Sequence, residues 1–319
     1  MSLISHHLEL TATALTPLEL DAQAGAQVRG AFVTALWGRF CANKAASTCA
    51  DCPLVRMCPV AALVAPLREE GETGGDQRPR PYVIQPPAGP CRYESGAEFR
   101  FSISLFGPAA QLFPYIVMAV QGLEQSGLGR RFAERSGRRG SLRISEIAAI
   151  NPLTGTRQVL YTPAQPHVQS PGLPVCADDV ALVAAALPAD RLTLHFRTPL
   201  RLIERSQLVH TFAVRPFVQR LKDRLDQLLV AYGDGPPFPR LDFAALNAAV
   251  TIVDDATHWV DLMGFSNRQQ RGLPLGGLVG PVTLGGQLDQ QLRELLVWGS
   301  LIHVGKNAVK GDGWYVVEG

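Results

Sequence analysis

The feature that most constrains the fold is an ordered series of strand and helix patterns in the C-terminal half of the chain. Residues 191–202 alternate between apolar and polar side chains, which predicts a strand with one buried face. Apolar residues spaced by four, four, three and four positions from Phe217 to Tyr232 then predict an amphipathic helix. Two strands, a helix and a last strand follow, at 257–265, 275–284, 288–302 and 314–317. This βαββαβ order predicts a ferredoxin-like domain, with two helices on one face of a four-stranded sheet.

The N-terminal half repeats this order less clearly. Strand patterns occur at 8–14, 98–105, 142–147 and 158–161, and helix patterns at 26–40 and 111–123. Four prolines between 163 and 175 predict an interdomain linker. We therefore predict an α+β fold of two ferredoxin-like (RRM-like) domains in tandem, with a Cys-rich insert at 41–58 in the first. The expected boundaries are 1–165 for the first domain, 166–188 for the linker and 189–319 for the second.

Composition limits the classes of function. The 319 residues are 46% hydrophobic and 18% charged, with a net charge of +2, which excludes a polycationic nucleic-acid coat but not a local basic groove. No uncharged apolar run approaches the ~18–20 residues of a membrane helix. The first residues lack the basic and apolar regions of a secretory signal. We therefore expect a cytoplasmic protein with no membrane partner, whose six cysteines are reduced or hold a metal.

Four of the cysteines are clustered with the spacing C-x7-C-x2-C-x5-C, at Cys41, Cys49, Cys52 and Cys58. Four thiolates suit a tetrahedral zinc ion, and such a closed site is structural rather than catalytic. An iron–sulfur cluster is chemically open as well, but it has no specific signature here. The alternative is a set of small, partly buried residues in a loop. The prediction is a structural zinc and no cofactor for catalysis.

Two basic segments are candidates for phosphate binding. The first spans 129–140 and carries five arginines against one glutamate, Arg130, Arg131, Arg135, Arg138 and Arg139 against Glu134. Guanidinium groups match phosphate geometry, so this segment is a candidate RNA-backbone contact, with a solvated hairpin as the alternative. The other lies on the helix that begins near Phe217, where Arg215, Arg220, Lys222 and Arg224 are interpreted as a solvated face.

A glycine-rich segment lies near the C-terminus, between His303 and Tyr315. Gly305, Gly311 and Gly313 lack side chains that would shield backbone N–H groups, and Lys306 and Lys310 add positive charge. Such a loop can wrap a phosphate chain, although a tight turn before a strand explains the glycines equally well. The segment lacks the G-x4-G-K-[ST] pattern, so a P-loop nucleotide triphosphatase is excluded.

Several runs of sequence resemble a known family. They are Phe265-Ser-Asn-Arg-Gln269, the glycine-rich run 274–286, Leu295–Lys306 and Gly311-Asp-Gly-Trp-Tyr315, with Val28-Arg-Gly-Ala-Phe32, Pro81–Pro87 and Leu105-Phe-Gly107 in the first half. The chain is similar over most of its length to the CRISPR repeat-processing endoribonucleases, the sixth Cas family of the RAMP superfamily. It departs from that family in two ways: Lys310 and Asp312 replace apolar residues of the loop, and residues 26–60 lack the histidine that many members carry.

The resemblance implies binding of CRISPR repeat RNA and metal-independent cleavage by the RNA's own 2′-hydroxyl group. This cleavage forms a 2′,3′-cyclic phosphate and gives mature crRNA. The alternative is a non-catalytic RAMP subunit that holds crRNA in an effector complex. Other expected partners are fused or associated Cas proteins. The reaction needs a base, an acid and positive charge on the phosphate. The candidate catalytic residues are His303 (proton carrier or loop anchor), Lys306, His210, Lys44 and Arg39. The candidate RNA contacts are Gly305, Lys310, Gly311, Gly313, Arg268, Arg130, Arg131, Arg138 and Arg139.

Overall fold

A computed structural model describes residues 3–68, 78–88, 92–165, 167–266 and 271–319 of the chain. The chain divides into two compact units. The N-terminal unit is Ile4–Pro174, and the C-terminal unit is Val175–Gly319 together with the first three residues. Each unit contains its own sheet and its own buried core.

The N-terminal unit contains nine strands and three α-helices within its described residues. The strands are β1 (Ser5–Ala14), β2 (Leu18–Glu19), β3 (Tyr82–Gln85), β4 (Arg92–Tyr93), β5 (Glu98–Phe106), β6 (Leu128–Phe132), β7 (Arg138–Gly140), β8 (Leu142–Ile150) and β9 (Arg157–Tyr161). The helices are α1 (Ala24–Phe40), α2 (Pro59–Val64) and α3 (Phe113–Ser126). A two-residue strand, β10 (Pro174–Val175), lies at the boundary of the units.

The main sheet of this unit is antiparallel, in the order β3-β5-β1-β8-β9. The first four of these strands follow the βαββαβ order, because α1 connects β1 to β3 and α3 connects β5 to β8. The two helices pack against each other, and a Cβ placed on Gly122 of α3 would lie only 3.2 Å from the Cβ of Ala35 on α1. The buried residues Val28, Phe32 and Leu36 follow the four-residue spacing that predicts α1.

The C-terminal unit begins with α4 (Ala177–Ala186), and its remaining helices are α5 (Val214–Tyr232), α6 (Phe243–Ala249) and α7 (Gln290–Ile302). Its strands are β11 (Arg191–Leu200), β12 (Leu202–Glu204), β13 (Gln207–Val209), β14 (Val250–Asp255), β15 (His258–Val260), β16 (Met263–Ser266), β17 (Arg271–Pro274), β18 (Gly277–Gly286) and β19 (Tyr315–Glu318).

The antiparallel sheet of the C-terminal unit has the order β14-β18-β11-β19, and β15 also pairs with β18. An aromatic cluster fills its core, with ring centroids of Phe196, Phe217 and Tyr315 5.3–5.7 Å apart. The hydroxyl of Tyr315 donates a hydrogen bond of 2.7 Å to the carbonyl of Leu296 on α7. The predicted mixed α+β fold with antiparallel sheets is thereby confirmed.

Two elements of the C-terminal unit lie elsewhere than predicted. The strand predicted at 257–265 is present as two short strands, β15 and β16, while the edge strand of the main sheet is β14, which comes earlier. All residues of β14 after Val250 are exposed, because it is an edge strand, so it lacks the alternation on which the prediction relied. The predicted linker 166–188 contains α4, whose Val180 and Ala184 are buried.

Among the described residues, no helix combines the length and the apolar character that would let it cross a membrane.

Candidate functional site

The glycine-rich segment between α7 and β19 folds onto the end of β11. The N–H of Gly313 donates to the carbonyl of Pro199, and the N–H of Lys306 donates to the carbonyl of Arg201. The hydroxyl of Thr198 donates to the carbonyl of Gly311 and accepts from the N–H of Trp314. The segment is therefore fixed by hydrogen bonds to the C-terminal end of β11 and to Arg201, which follows it.

The glycines of this segment allow close backbone approach. Gly305 has a φ of 86°, and a Cβ added to it would lie 2.6 Å from the carbonyl oxygen of Arg201. Gly313 has a φ of 68°, and a Cβ added to it would lie 1.8 Å from the carbonyl oxygen of Val304. The N–H groups of Gly311 and Gly313 donate to carbonyls inside the protein. The geometry thus accounts for these glycines through packing, and their predicted contact with RNA stays a prediction.

His303 ends α7 and is buried, with only 2% of its surface exposed. Its φ of 60° is unusual for a residue with a side chain, and its ring lies near that of Trp314, with centroids 6.4 Å apart. Its N–H donates to the carbonyl of Gly299. Of the two roles predicted for His303, this burial favours the loop anchor, because a proton carrier must reach the substrate.

Lys306 lies at a cavity of about 350 Å³, hereafter the C-terminal cavity. Besides Lys306, its charged lining residues are three arginines and one carboxylate, namely Arg201, Arg220, Arg224 and Asp223. Arg220 is paired with Asp223 at 2.9 Å. The interpretation of the α5 cations as a solvated face is therefore wrong for Arg224, whose Nη2 atom is buried.

Arg201 lines this cavity and also lies near Trp259, whose ring packs against that of His210. Its guanidinium carbon lies 6.0 Å from the ring centroid of Trp259. The ring of His210 lies 4.3 Å from the same indole, and His210 is exposed. His210 is thus an accessible imidazole close to a cavity lined by cations.

Asp312 lies in the glycine-rich segment beside these cations. Burial raises the pKa of its carboxyl group to about 7, although a hydrogen bond from Asn307 and the charges of Lys310 and Arg201 act in the opposite direction. Its Oδ2 atom is buried and has no hydrogen-bond partner among the described residues. The resemblance identified Asp312 only as a departure from the family pattern, and the structure shows that the departure places an acid with an unusual pKa in this loop.

The arginine-rich segment 129–140 forms a hairpin of β6 and β7, in which Arg131 pairs with Arg139 and Phe132 with Arg138. The guanidinium of Arg131 donates to the carbonyl of Gly137 at 3.1 Å, and that of Arg139 donates to the carbonyl of Gly129. Burial, together with the like charge of Arg131, lowers the pKa of Arg139. These contacts hold the side chains of Arg131 and Arg139 in fixed positions.

Four arginines of this hairpin line one groove of about 840 Å³, hereafter the N-terminal groove, at Arg131, Arg135, Arg138 and Arg139. The other lining residues described for it are polar or glycine, and none is a carboxylate. Arg130 is not among the lining residues and pairs instead with Glu19 at 3.3 Å. The structure therefore brings together three of the four predicted arginines and adds Arg135.

The two candidates near the end of α1 are both exposed. The Lys44 ammonium donates to the carbonyl of Gly38 at 3.2 Å and lies 5.3 Å from the ring centroid of Trp37. It thus caps the C-terminal end of the helix. Arg39 has no hydrogen bond or ion pair within the described part of the chain.

The four clustered cysteines line a single cavity of about 370 Å³ between α1 and α2. Burial raises the pKa of the Cys49 thiol, and Cys58, Cys41 and Cys52 add to this effect. The four cysteines form no disulfide, and no group of three or more His, Cys, Asp or Glu side chains within the described residues is arranged to hold a metal ion. The structure does not support the predicted zinc site.

Two predicted RNA contacts remain, Arg268 and Lys310, and three cavity arginines were not predicted. Arg268 lies outside the described residues. Lys310 belongs to the short turn that precedes Gly311, and its N–H donates to the carbonyl of Asn307. Arg201, Arg220 and Arg224 were not predicted as site residues. The available signal was that Arg220 and Arg224 are four residues apart on one helix, which places them on the same face.

Family profiles match two parts of the chain. Residues 3–173 match the AF_1859_N N-terminal domain. Residues 194–315 match the family described as CRISPR-associated endoribonuclease Cas6. No curated protein matches the chain.

Solved structures share the fold at low sequence identity. A chain of a partial Cas6-RT-Cas1–Cas2 complex matches with a TM-score of 0.60 and 11% identity over 99% of this chain and 46% of its own length. A Cas6 product complex matches with a TM-score of 0.54 and 15% identity over 98% and 100% of the two chains. Thermus thermophilus Cas6 matches with a TM-score of 0.52 and 14% identity over 100% and 99%. The chain thus spans less than half of the length of its match in the larger complex.

Proposed function

We propose that this chain is a member of the CRISPR-associated endoribonuclease Cas6 family, whose profile matches residues 194–315, and that it binds CRISPR repeat RNA and cleaves the precursor to give mature crRNA. The observation that carries the proposal is the N-terminal groove, where four arginines meet without a carboxylate among the described lining residues. Phosphate contacts from arginine supply most of the affinity of such grooves for nucleic acid. Cas6-RT-Cas1–Cas2 complexes share the fold, and association with further Cas proteins is part of the proposal.

We further propose that cleavage uses the 2′-hydroxyl group next to the scissile phosphate and needs no metal ion. The attack forms a 2′,3′-cyclic phosphate and releases a 5′-hydroxyl. The residues fit this chemistry, because Asp223 is the one carboxylate described in the lining of the groove or the C-terminal cavity, and it is paired with Arg220. A two-metal site needs several unpaired carboxylates instead.

Within the C-terminal unit, His210 is the best placed proton carrier. It is exposed, its ring packs at an angle against that of Trp259, and the same indole contacts Arg201. An imidazole titrates near neutral pH and can take the proton of the 2′-hydroxyl or give one to the leaving oxygen. Lys306 would bind the phosphate, and the buried His303 would hold the loop that presents Lys306.

Single-turnover cleavage of labelled repeat RNA tests this assignment. His210→Ala should slow cleavage by at least about 100-fold, the lower range for a general acid or base, while RNA affinity changes little. His258→Ala is the matched control, since it removes a nearby exposed imidazole on β15. The wild-type chain should cleave in EDTA, should give a cyclic phosphate and should leave intact a repeat with 2′-deoxyribose at the scissile nucleotide.

Each alternative gives a different result. Cleavage of the deoxy substrate, or loss of activity in EDTA with the fold intact, would reject the 2′-hydroxyl mechanism. Full activity in His210→Ala would transfer the proton chemistry to Lys44 and Arg39. Tight repeat binding without cleavage under any condition would favour the non-catalytic subunit that holds crRNA.

The four cysteines carry a separate proposal, a structural zinc. It is supported by their lining of one cavity, and it requires the segment 41–58 to bring the thiolates closer together than in the structure. Metal analysis combined with thiol titration tests it. One equivalent of zinc with four protected thiols would establish the site, and four freely reactive thiols without zinc would reject it.

A further inference from the structure

The C-terminal cavity has more positive charge than its surroundings neutralise. Arg201, Arg220, Arg224 and Lys306 line it, and within the described residues the one ion pair of Asp223 is with Arg220. Neither Arg201, Arg224 nor Lys306 has an ion pair within the described part of the chain. Asp312 lies near Arg201, but burial holds the pKa of its carboxyl group at about 7, so it is partly protonated at neutral pH.

Arg224 is the most unusual of these cations. Its Nε donates to the carbonyl of Ile302 at 2.8 Å, while its buried Nη2 has no hydrogen-bond partner among the described residues. Burial lowers the pKa of its guanidinium to about 10, which reflects the cost of removing the charge from water. A buried charge is normally paired, so a missing anion is the simplest account of this one.

The cations are held in place by contacts that leave donors available. Arg201 donates to the carbonyl of Gly276 at 2.8 Å, and Arg220 donates to that of Ile203 at 3.1 Å. Each guanidinium has five N–H donors, and these bonds use a minority of them. Lys306 is fixed through its backbone N–H, and its ammonium group has no partner within the described residues. The arrangement is therefore preorganised for an anion with several acceptor oxygens.

We propose that the C-terminal cavity binds a phosphate group between Arg224, Arg201 and Lys306, and that this group is a backbone phosphate of the bound RNA. The first part depends only on the cavity, whereas the second rests on the proposed function. Phosphate fits the site because its oxygens accept bidentate hydrogen bonds from guanidinium groups.

Inorganic phosphate is the first probe, and thermal unfolding of the full chain is the readout. Phosphate should raise the melting temperature of the wild type, and Arg224→Met should abolish most of this shift. Arg215→Met is the control, because it removes an exposed arginine from the same helix outside the cavity and should keep the full shift. Lys306→Met is a second variant. The ammonium group of Lys306 has no partner among the described residues, so its removal should leave the fold intact and reduce the phosphate-induced rise in melting temperature. This result does not require that the fold tolerate a change at Arg224.

Arg224 could bind an anion or could serve only the fold, and these two roles predict opposite changes in the melting temperature of Arg224→Met when phosphate is absent. If Arg224 serves the anion, Arg224→Met should melt no lower than the wild type, since an unpaired buried charge is removed. If Arg224 is only structural, the variant should melt lower and keep its response to phosphate. The latter result, or an unaltered phosphate shift in both variants, would overturn the proposal.

Binding of labelled oligouridylate then separates RNA phosphate from free phosphate. Arg224→Met should weaken this binding by about tenfold at 0.1 M salt and should lower the salt slope by about 0.7, the value for one contact with a single strand. Loss of the phosphate shift with unchanged RNA affinity and slope would reject RNA as the source. A wild type that binds oligouridylate and phosphate but never cleaves repeat RNA would contradict the proposed function and leave the phosphate site standing.

Discussion

The N-terminal groove and the C-terminal cavity are both lined by arginines, but they hold their charges differently. In the groove, Arg131 and Arg139 donate to carbonyls of their own hairpin, and no carboxylate is described in the lining. In the cavity, Arg220 has a carboxylate partner, whereas the buried Nη2 atom of Arg224 has no hydrogen-bond partner among the described residues. Under the proposals above, the groove would attract RNA through the summed charge of its arginines, whereas the cavity would hold a single phosphate group.

The two units also differ in the kind of buried residue whose pKa is shifted, a histidine in the N-terminal unit and an aspartate in the C-terminal unit. His7 of β1 is 4% exposed and is hydrogen-bonded to Ser5 at 3.0 Å and Ser104 at 2.7 Å. Burial, with the charge of His6, lowers the pKa of His7 to about 3. Asp312 of the C-terminal unit shows the opposite case of an acid kept protonated. We therefore expect acid to destabilise the N-terminal unit and base to destabilise the C-terminal unit.

The largest effect is expected from Asp312→Asn. The pKa of Asp312 is about 7 in the folded chain and 3.8 in the reference state, so the folded chain retains a proton that the unfolded chain releases between these values. The free energy of unfolding therefore falls as pH rises from 4 to 7, and the variant should be more stable than the wild type by about 4 kcal/mol at pH 8. At about pH 4 the two should be equal. Urea unfolding at both pH values measures the difference, and a pH-independent gap would contradict this account.

The next effect concerns the N-terminal groove. Replacing both Arg138 and Arg139 with Ala should weaken repeat RNA binding on the order of 100-fold and lower the salt slope by about 1.4, as two lost phosphate contacts require. Arg130→Ala is the matched control from the same hairpin, because Arg130 pairs with Glu19 outside the groove. Filter binding at several salt concentrations measures both quantities. An unchanged slope in the double variant would show that the segment is a solvated hairpin.

The smallest of the three effects is expected from His7. A histidine with a lowered pKa stays neutral in the folded chain while it is protonated in the unfolded chain, so stability is lost as pH falls from about 6.5 towards 3. This loss should amount to about 2 kcal/mol at pH 5. His7→Gln should flatten the acid side of the stability curve, whereas His6→Gln, at the half-buried neighbour, should change it less. Equal acid dependence in both variants would remove the contrast between the units.

Much of the C-terminal fold could be predicted from the sequence because its elements have one clear face. The residues of β11 alternate between buried and accessible positions, and Phe217, Leu221, Leu225 and Leu228 of α5 are all buried. β14 could not be found in this way, since an exposed edge strand has no apolar face to reveal it. β3 was missed for the opposite reason, because three consecutive residues, Tyr82, Val83 and Ile84, are buried and show no alternation.

The candidate site was predictable only in part. The charge of residues 129–140 is visible in the sequence and gathers at one groove, yet Arg130 turns away to Glu19 and Arg135 joins the lining. The glycine-rich segment was found from composition, but the N–H groups of Gly311 and Gly313 are used inside the protein. Such details depend on which partners a side chain meets across the fold, and local spacing does not contain that information.

The sequence by itself determined the order of the elements, their apolar faces and the resemblance to the repeat-processing endoribonucleases, because periodicity and short motifs are local properties of the chain. The tertiary structure alone decided which polar groups lose water. It buried His303 under its loop, left His210 exposed on Trp259, and placed Arg224 at a cavity without an acidic partner among the described residues. Burial of a charge depends on residues far apart in sequence, and so the electrostatic character of this protein emerges only when the chain is folded.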